Sequence, residues 1–237
     1  MSAHPLTPIP SSLKPYFEQI KLPAPNSHKG QNGKLLIIGG SELFHAASKW
    51  SLDVASKFVD MVFYSSIPEN NQLVKQAKGE FWNGIVVTRE SLESYLEEAD
   101  AVLIGPGMTR TEDTAVLTNA LLKKFSTKKW VIDAGALQML ETDLITETMI
   151  LTPHHGEREL SQTASALPKG ATLLIKGPTD SVQQGDVLLQ ITGGNAGMTK
   201  GGTGDVLAGL VAALYTQHEA LTAAVVASFV NKRAGDL

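Results

Sequence analysis

Short apolar runs that end in small or polar residues recur along this chain. Lys34 is followed by Leu35, Leu36, Ile37 and Ile38, then by Gly39-Gly40-Ser41. A continuous apolar run of that length, closed by a glycine turn, predicts a strand buried on both faces. The same pattern predicts strands at 61–64, 85–87, 101–104, 130–132, 149–151 and 172–176. Helical spacing fills the gaps between them. Ala47, Trp50, Val54 and Phe58 share one stripe of a helix over 46–58. A charged surface helix over 91–99 follows, then a helix over 111–125 carrying Ala115, Leu117, Leu121 and Leu122. Residues 181–190 predict a hairpin that turns at Gly185-Asp186. Helices over 205–215, with Val206, Leu207, Leu210, Val211 and Leu214 as its apolar face, and over 220–231 complete the pattern.

Strands alternating with helices predict an α/β fold with a mostly parallel, doubly wound sheet. In such sheets ligands bind at the carboxyl ends of the strands. Residues 1–33 lack the pattern, and Pro5, Pro8, Pro10, Pro15, Pro23 and Pro25 interrupt any long element there. They are expected to form an irregular leader, with one short helix within 11–20, ahead of a single domain over 34–237. The first ten residues contain three prolines and no apolar stretch, which is unlike a signal peptide. No apolar run approaches the roughly 18 residues of a membrane span, so no membrane partner is expected.

Composition narrows the function further. Of 237 residues, 43% are hydrophobic and 19% charged, a globular balance. The net charge of −4 argues against a nucleic-acid partner, because nothing offsets phosphate charge over a broad face. It leaves room for a phosphate site built from backbone amides. The absence of cysteine removes thiol catalysis, iron–sulfur clusters and cysteine-held zinc, and suits a reducing, cytoplasmic location.

The strongest local chemistry lies near the C-terminus. The thirteen residues from Thr192 to Gly204 contain six glycines and run directly into Asp205 and a helix. Free amides at a helix start, with the positive end of its dipole, make an anion site. Asp205 has two readings there, a helix N-cap or a general base beside the anion cradle. Asp133, at a strand end, is likewise either an N-cap or a site residue. Lys176-Gly177 reads as a turn lysine or as a phosphate contact. His154 ends a strand where it could bond a polar substrate, and Glu157 fits either a helix first turn or a water-mediated Mg²⁺ contact. The P-loop, the dinucleotide G-x-G-x-x-G and the G-x-S-x-G elbow are all missing.

Taken in order, six segments resemble the NAD(P)H-hydrate dehydratases of the ribokinase-like superfamily. They are Ser27 to Ser41, Ile104-Gly-Pro-Gly-Met108, Val131-Ile-Asp-Ala-Gly-Ala-Leu137, Leu151-Thr-Pro-His-His-Gly-Glu157, Leu174-Ile-Lys-Gly177 and Gly194 to Leu207. The resemblance implies a three-layer sandwich and a repair reaction. ADP or ATP would phosphorylate the C6 hydroxyl of hydrated NADH or NADPH, and phosphate would then leave to restore the double bond. It assigns Asp205 as the base that takes the hydroxyl proton. Ala46, Gly107, His154 and Asp205 would contact the hydrated cofactor. Lys176, Gly177, Thr179, Gly202, Thr203 and Gly204 would line the nucleotide side. Mg²⁺ would bridge the nucleotide phosphates, with Glu157 organising it from outside the direct contacts. A homo-oligomer, of the order of a tetramer, and a separate epimerase acting on the same metabolite are also implied.

The chain departs from the family pattern at four places. His155 stands for a proline, Gly135 stands for a second aspartate, the stretch 157–170 is short, and the chain stops at Leu237 where members continue. The last departure leaves two readings, a short variant or a truncated domain. Two other functions share the glycine turn and Asp205: a small-molecule kinase of the hydroxyethylthiazole type, and a non-catalytic nucleotide-binding protein.

Overall fold

A computed structural model describes residues 8–77, 84–156 and 167–237. Among the described residues nine strands form one sheet in the order β3-β2-β1-β4-β5-β6-β7-β8-β9. They are β1 (Lys34–Ile38), β2 (Met61–Ser65), β3 (Gly84–Val86), β4 (Ala101–Ile104), β5 (Lys129–Ile132), β6 (Met149–Leu151), β7 (Thr172–Ile175), β8 (Asp180–Gln184) and β9 (Val187–Ile191). Pairings from β3 across to β7 are parallel, and β8 and β9 continue the sheet as an antiparallel hairpin. Gly185 makes that hairpin's turn at φ +53°. The sheet is the mostly parallel α/β architecture that the alternating pattern implies.

Eight α-helices pack around it among the described residues. They are α1 (Lys14–Glu18), α2 (His45–Ala55), α3 (Pro68–Gln76), α4 (Leu92–Glu98), α5 (Glu112–Lys124), α6 (Ala134–Gln138), α7 (Thr203–Tyr215) and α8 (Ala220–Asp236). Side chains alternate across each strand, so the continuous apolar runs feed two cores. Leu35, Ile37, Leu103, Val131 and Leu174 meet α2, α7 and α8 on one face. Leu36, Ile38, Ile104, Trp130 and Leu151 meet α4 and α5 on the other. The result is three layers, helix on sheet on helix. No helix of the described residues is long and apolar enough to cross a membrane.

Residues 9–20 pack on this domain. Leu13 is buried in the first core, and the Phe17 ring meets Phe229 of α8 edge-on at 5.3 Å.

The buried face of α2 differs from the expected stripe. Ser48, Ser51, Leu52 and Ala55 are buried, whereas Trp50 and Phe58 are exposed and the helix ends at Ala55. The cause is the close crossing of α2 and α7. A Cβ added at Gly209 would lie 2.5 Å from the Ser51 carbonyl oxygen. Only small side chains fit such a contact, so serine and alanine occupy it and the aromatics move to its rim.

Candidate active site

The carboxyl ends of five parallel strands converge on one edge of the sheet. β1 ends in Gly39-Gly40, β4 in Gly105-Pro106-Gly107, β5 in Asp133, β6 in Thr152-Pro153-His154 and β7 in Lys176-Gly177. The first two ends are stitched together: the Gly40 amide donates to the Pro106 carbonyl at 2.7 Å, and the Gly105 amide to the Ile38 carbonyl at 3.0 Å. Gly107 has φ +74°, and a Cβ there would lie 2.3 Å from the Phe44 carbonyl oxygen, so only glycine fits. Ala46, half-buried in the first turn of α2, sits on the same side of the molecule as that contact.

Helix α7 brings the glycine-rich turn expected to hold an anion. Its N-cap is Gly202, at φ +98°, ψ −17°, a left-handed geometry that suits glycine. Asp205 is therefore the third residue of the helix and not its cap. The Val206 amide closes the first helical bond, to the Gly202 carbonyl at 2.9 Å. The amides of Gly204 and Asp205 precede it and have no helical acceptor; that of Asp205 bonds to its own carboxylate. Trp50 supports the turn from behind: a Cβ on Gly202 would lie 2.4 Å from its indole ring. The Ser51 hydroxyl donates to the Asp205 carbonyl at 2.8 Å, which fixes the helix start to α2.

Asp133 and Lys176 complete the arrangement. Asp133 stands at the N-cap of α6, yet its carboxylate makes no cap bond. It accepts instead from the Thr152 hydroxyl at 2.7 Å and from the Lys176 ammonium at 2.5 Å. The Asp133 side chain is 2% exposed and that of Lys176 16%, so the pair is not a surface salt bridge. A Cβ built on Gly204 would lie 3.6 Å from the Lys176 Nζ, which places the ammonium at the mouth of α7. Asp133 thus holds the N-cap position without capping, and with Lys176 it forms a buried charge pair beside the helix mouth. The Asp205 carboxyl is pushed up from 3.8 to about 6, first by burial and second by the Asp133 charge, with Lys176 opposing.

A cleft of 660 Å³ opens beside these groups, lined by His154, Lys176, Gly177, Thr203 and Gly204, with Asp133 and Asp205 next to its lining and not part of it. It therefore joins five of the residues expected in the site. Gly202 and Trp50 line a smaller hollow of 470 Å³ that shares Thr203 with the cleft. Thr179 is exposed between Pro178 and Asp180, which do line the cleft. Glu157 lies outside the described residues. Among those described, no three His, Cys, Asp or Glu side chains come together as a metal-holding group. An Mg²⁺ in this site would fit as a companion of nucleotide phosphates, the usual setting for that ion. Trp50, Ser51 and the pair Asp180–Lys232 were not expected here. Trp50 reads as core in the sequence, and Lys232 lies just beyond the helix expected over 220–231.

Comparison with known proteins gives this geometry a context. A family model described as NAD(P)H-hydrate dehydratase matches residues 35–237. The bifunctional NAD(P)H-hydrate repair enzyme Nnr of Methanocaldococcus jannaschii is 37% identical over 223 residues, covering 90% of this chain and 45% of that protein. The chain thus spans about half the length of such bifunctional relatives. An ADP-dependent (S)-NAD(P)H-hydrate dehydratase of Nitrosopumilus maritimus is 32% identical over 240 residues, with 88% of this chain and 82% of that protein covered. Among solved structures, a ribokinase-like superfamily protein of Enterococcus faecalis superposes with a TM-score of 0.81 at 22% identity, covering 93% of this chain and 84% of the other. The ADP/ATP-dependent NAD(P)H-hydrate dehydratase of Bacillus subtilis, co-crystallised with ATP/Mg²⁺, gives 0.73 at 22%, covering 93% and 86%. At that identity the two structures show a shared ribokinase-like fold.

Proposed function

The chain belongs to the NAD(P)H-hydrate dehydratase family, and on that premise we propose that it repairs hydrated NADH and NADPH at the expense of ADP or ATP. The observation that carries this reading is the helix mouth of α7: the Gly204 amide without a helical acceptor, the Lys176 ammonium beside it, and a carboxyl at position 205 that titrates at about 6. Ionised Asp205 takes the proton of the C6 hydroxyl. The freed oxygen attacks the terminal phosphorus of the nucleotide, and the bond from that phosphorus to the nucleotide's bridging oxygen breaks. Loss of phosphate from C6, with a proton from the adjacent ring carbon, restores the double bond. Amides aimed at the transferring group stabilise its charge without having to reorganise, which is where such a site lowers a barrier most. A base titrating at about 6 is ionised at neutral pH yet retains proton affinity.

His154, Ala46 and Gly107 would face the hydrated ring and its ribose side. Lys176, Gly177, Thr179 and residues 202–204 would face the nucleotide. Mg²⁺, when bound, would neutralise charge on the nucleotide phosphates, with Glu157 the candidate that the family resemblance assigns to it. ADP is the preferred donor, in keeping with the ADP-dependent relatives. The assembly proposed is a homo-oligomer in the cytoplasm. Leu43 and Phe44, 74% and 55% exposed ahead of α2, are apolar surface that a second copy would cover. Epimer interconversion, a second activity in keeping with the name of the bifunctional relatives, falls to an epimerase outside residues 34–237.

The experiment is donor-dependent recovery of reduced nicotinamide absorbance from its hydrate. Recovery with release of inorganic phosphate supports the dehydratase. A phosphorylated product that accumulates without phosphate release would instead mark a kinase. Nucleotide binding without turnover would mark a non-catalytic homologue.

A further inference from the structure

The wall of the cleft that carries Gly177 is held from behind by α8. Lys232 is only 5% exposed, and its ammonium serves a single loop. It donates to the Gly177 carbonyl at 2.5 Å and the Pro178 carbonyl at 3.0 Å, and pairs with Asp180 Oδ1 at 3.2 Å. Asp180 is equally buried. Its Oδ1 also accepts from the Gly177 amide at 3.0 Å, and its Oδ2 accepts from the Ser228 hydroxyl of α8 at 2.8 Å. Two donors of the lysine are thereby used on carbonyls, its charge is paired with Asp180, and both oxygens of the aspartate accept.

The same helix holds the facing wall. Asp236 Oδ1 accepts from the Gly194 amide at 2.7 Å, and the Asn195 side-chain amide donates to the Gly235 carbonyl. Gly177, Pro178, Gly194 and Asn195 all line the 660 Å³ cleft. The two walls, at either end of the β8–β9 hairpin, are thus tied to adjacent turns of one helix.

Burying a lysine and an aspartate gives little net stability compared with an apolar pair of similar size. What this pair does specifically is fix backbone position, because the ammonium bonds two successive carbonyls of one four-residue loop and pairs with the carboxylate that closes it. We infer that Lys232 is a positioning residue for the nucleotide: it holds the Gly177–Asp180 loop at a set distance from the glycine-rich segment, so that the cleft is preformed before the nucleotide enters. This rests on the reading that the cleft takes the nucleotide. A preformed cleft binds more tightly because the ordering cost has already been met.

The test is calorimetric titration of ADP, with Mg²⁺, into the full chain and its variants, alongside steady-state kinetics. Lys232→Met keeps the length and apolar stem and removes the ammonium. The Kd for ADP is expected to rise about tenfold, the scale of a lost charge-assisted anchor. The KM for ADP should rise with it, the KM for hydrated NADH should stay, and kcat should fall by less than KM rises. A role in stability alone would lower the melting temperature and move neither affinity selectively. Should Lys232→Met not fold, Ser228→Ala removes one bond on Asp180 and should raise the ADP Kd about two- to threefold. Unchanged ADP affinity in a folded variant, or an equal rise in both KM values, overturns the inference. A wild-type protein that binds no ADP overturns the reading of the cleft itself, a result visible before any variant is made.

Discussion

Replacing Asp205 with asparagine should stabilise the fold at neutral pH while removing its activity. The Asp205 carboxyl titrates at about 6 in the folded protein against 3.8 for an ordinary aspartate, chiefly because burial disfavours its charge. Two pH units at about 1.36 kcal/mol each set an upper bound near 3 kcal/mol. The side chain is half-buried and partly in contact with water, so about half of that, roughly 1.5 kcal/mol, is the working figure. The sign follows from proton binding. Between about pH 4 and 6 the folded state holds a proton that the unfolded state has lost, so wild-type stability declines as pH rises through that window. Above it, both states are ionised and the deficit is constant. The substituted side chain, an amide, does not titrate. The melting temperature of Asp205→Asn should therefore match wild type, after a constant offset, near pH 4 and exceed it by a further 3–6 °C or so at pH 7.5. Differential scanning calorimetry across that range reads the change directly. A difference that does not vary with pH would refute the argument, because it would mean that the carboxyl is not held up by its surroundings.

Two further outcomes follow from the same site. Lys176→Met leaves the Asp133 carboxylate buried with only the Thr152 hydroxyl, and urea denaturation should show a loss of about 3–5 kcal/mol, mostly restored by adding Asp133→Asn. Gly202→Ala forces a left-handed residue and a contact with Trp50, and should cost about 1–2 kcal/mol from the backbone alone while weakening ADP binding; adding Trp50→Ala relieves only the contact part.

Where one physical signal governed an element, the sequence showed it. The strands over 101–104 and 149–151 match their runs to the residue, because nothing but burial on both faces decides them. The hairpin turn at Gly185 was legible for a similar reason, since a tight turn demands its glycine. The face of α2 was not. Hydrophobicity selects Trp50 and Phe58, but the closeness of α7 at Gly209 is a tertiary fact, and it reverses which side chains can be inside. Asp133 and Lys176 stand 43 residues apart, and no local pattern says that their charges meet. Lys232 is the extreme case: in the sequence it is a charged residue near a helix end, and only the fold closes a loop around it.

The most direct test is turnover at the mouth of α7. Purified protein is given hydrated NADH with Mg²⁺ and ADP, then ATP, and near-ultraviolet absorbance of the reduced nicotinamide is followed beside release of inorganic phosphate. Absorbance and phosphate should rise together in wild type, with an acid limb near pH 6, and both should vanish in a folded, nucleotide-binding Asp205→Asn protein. Recovery that persists in that variant, or that proceeds without nucleotide, would contradict the account.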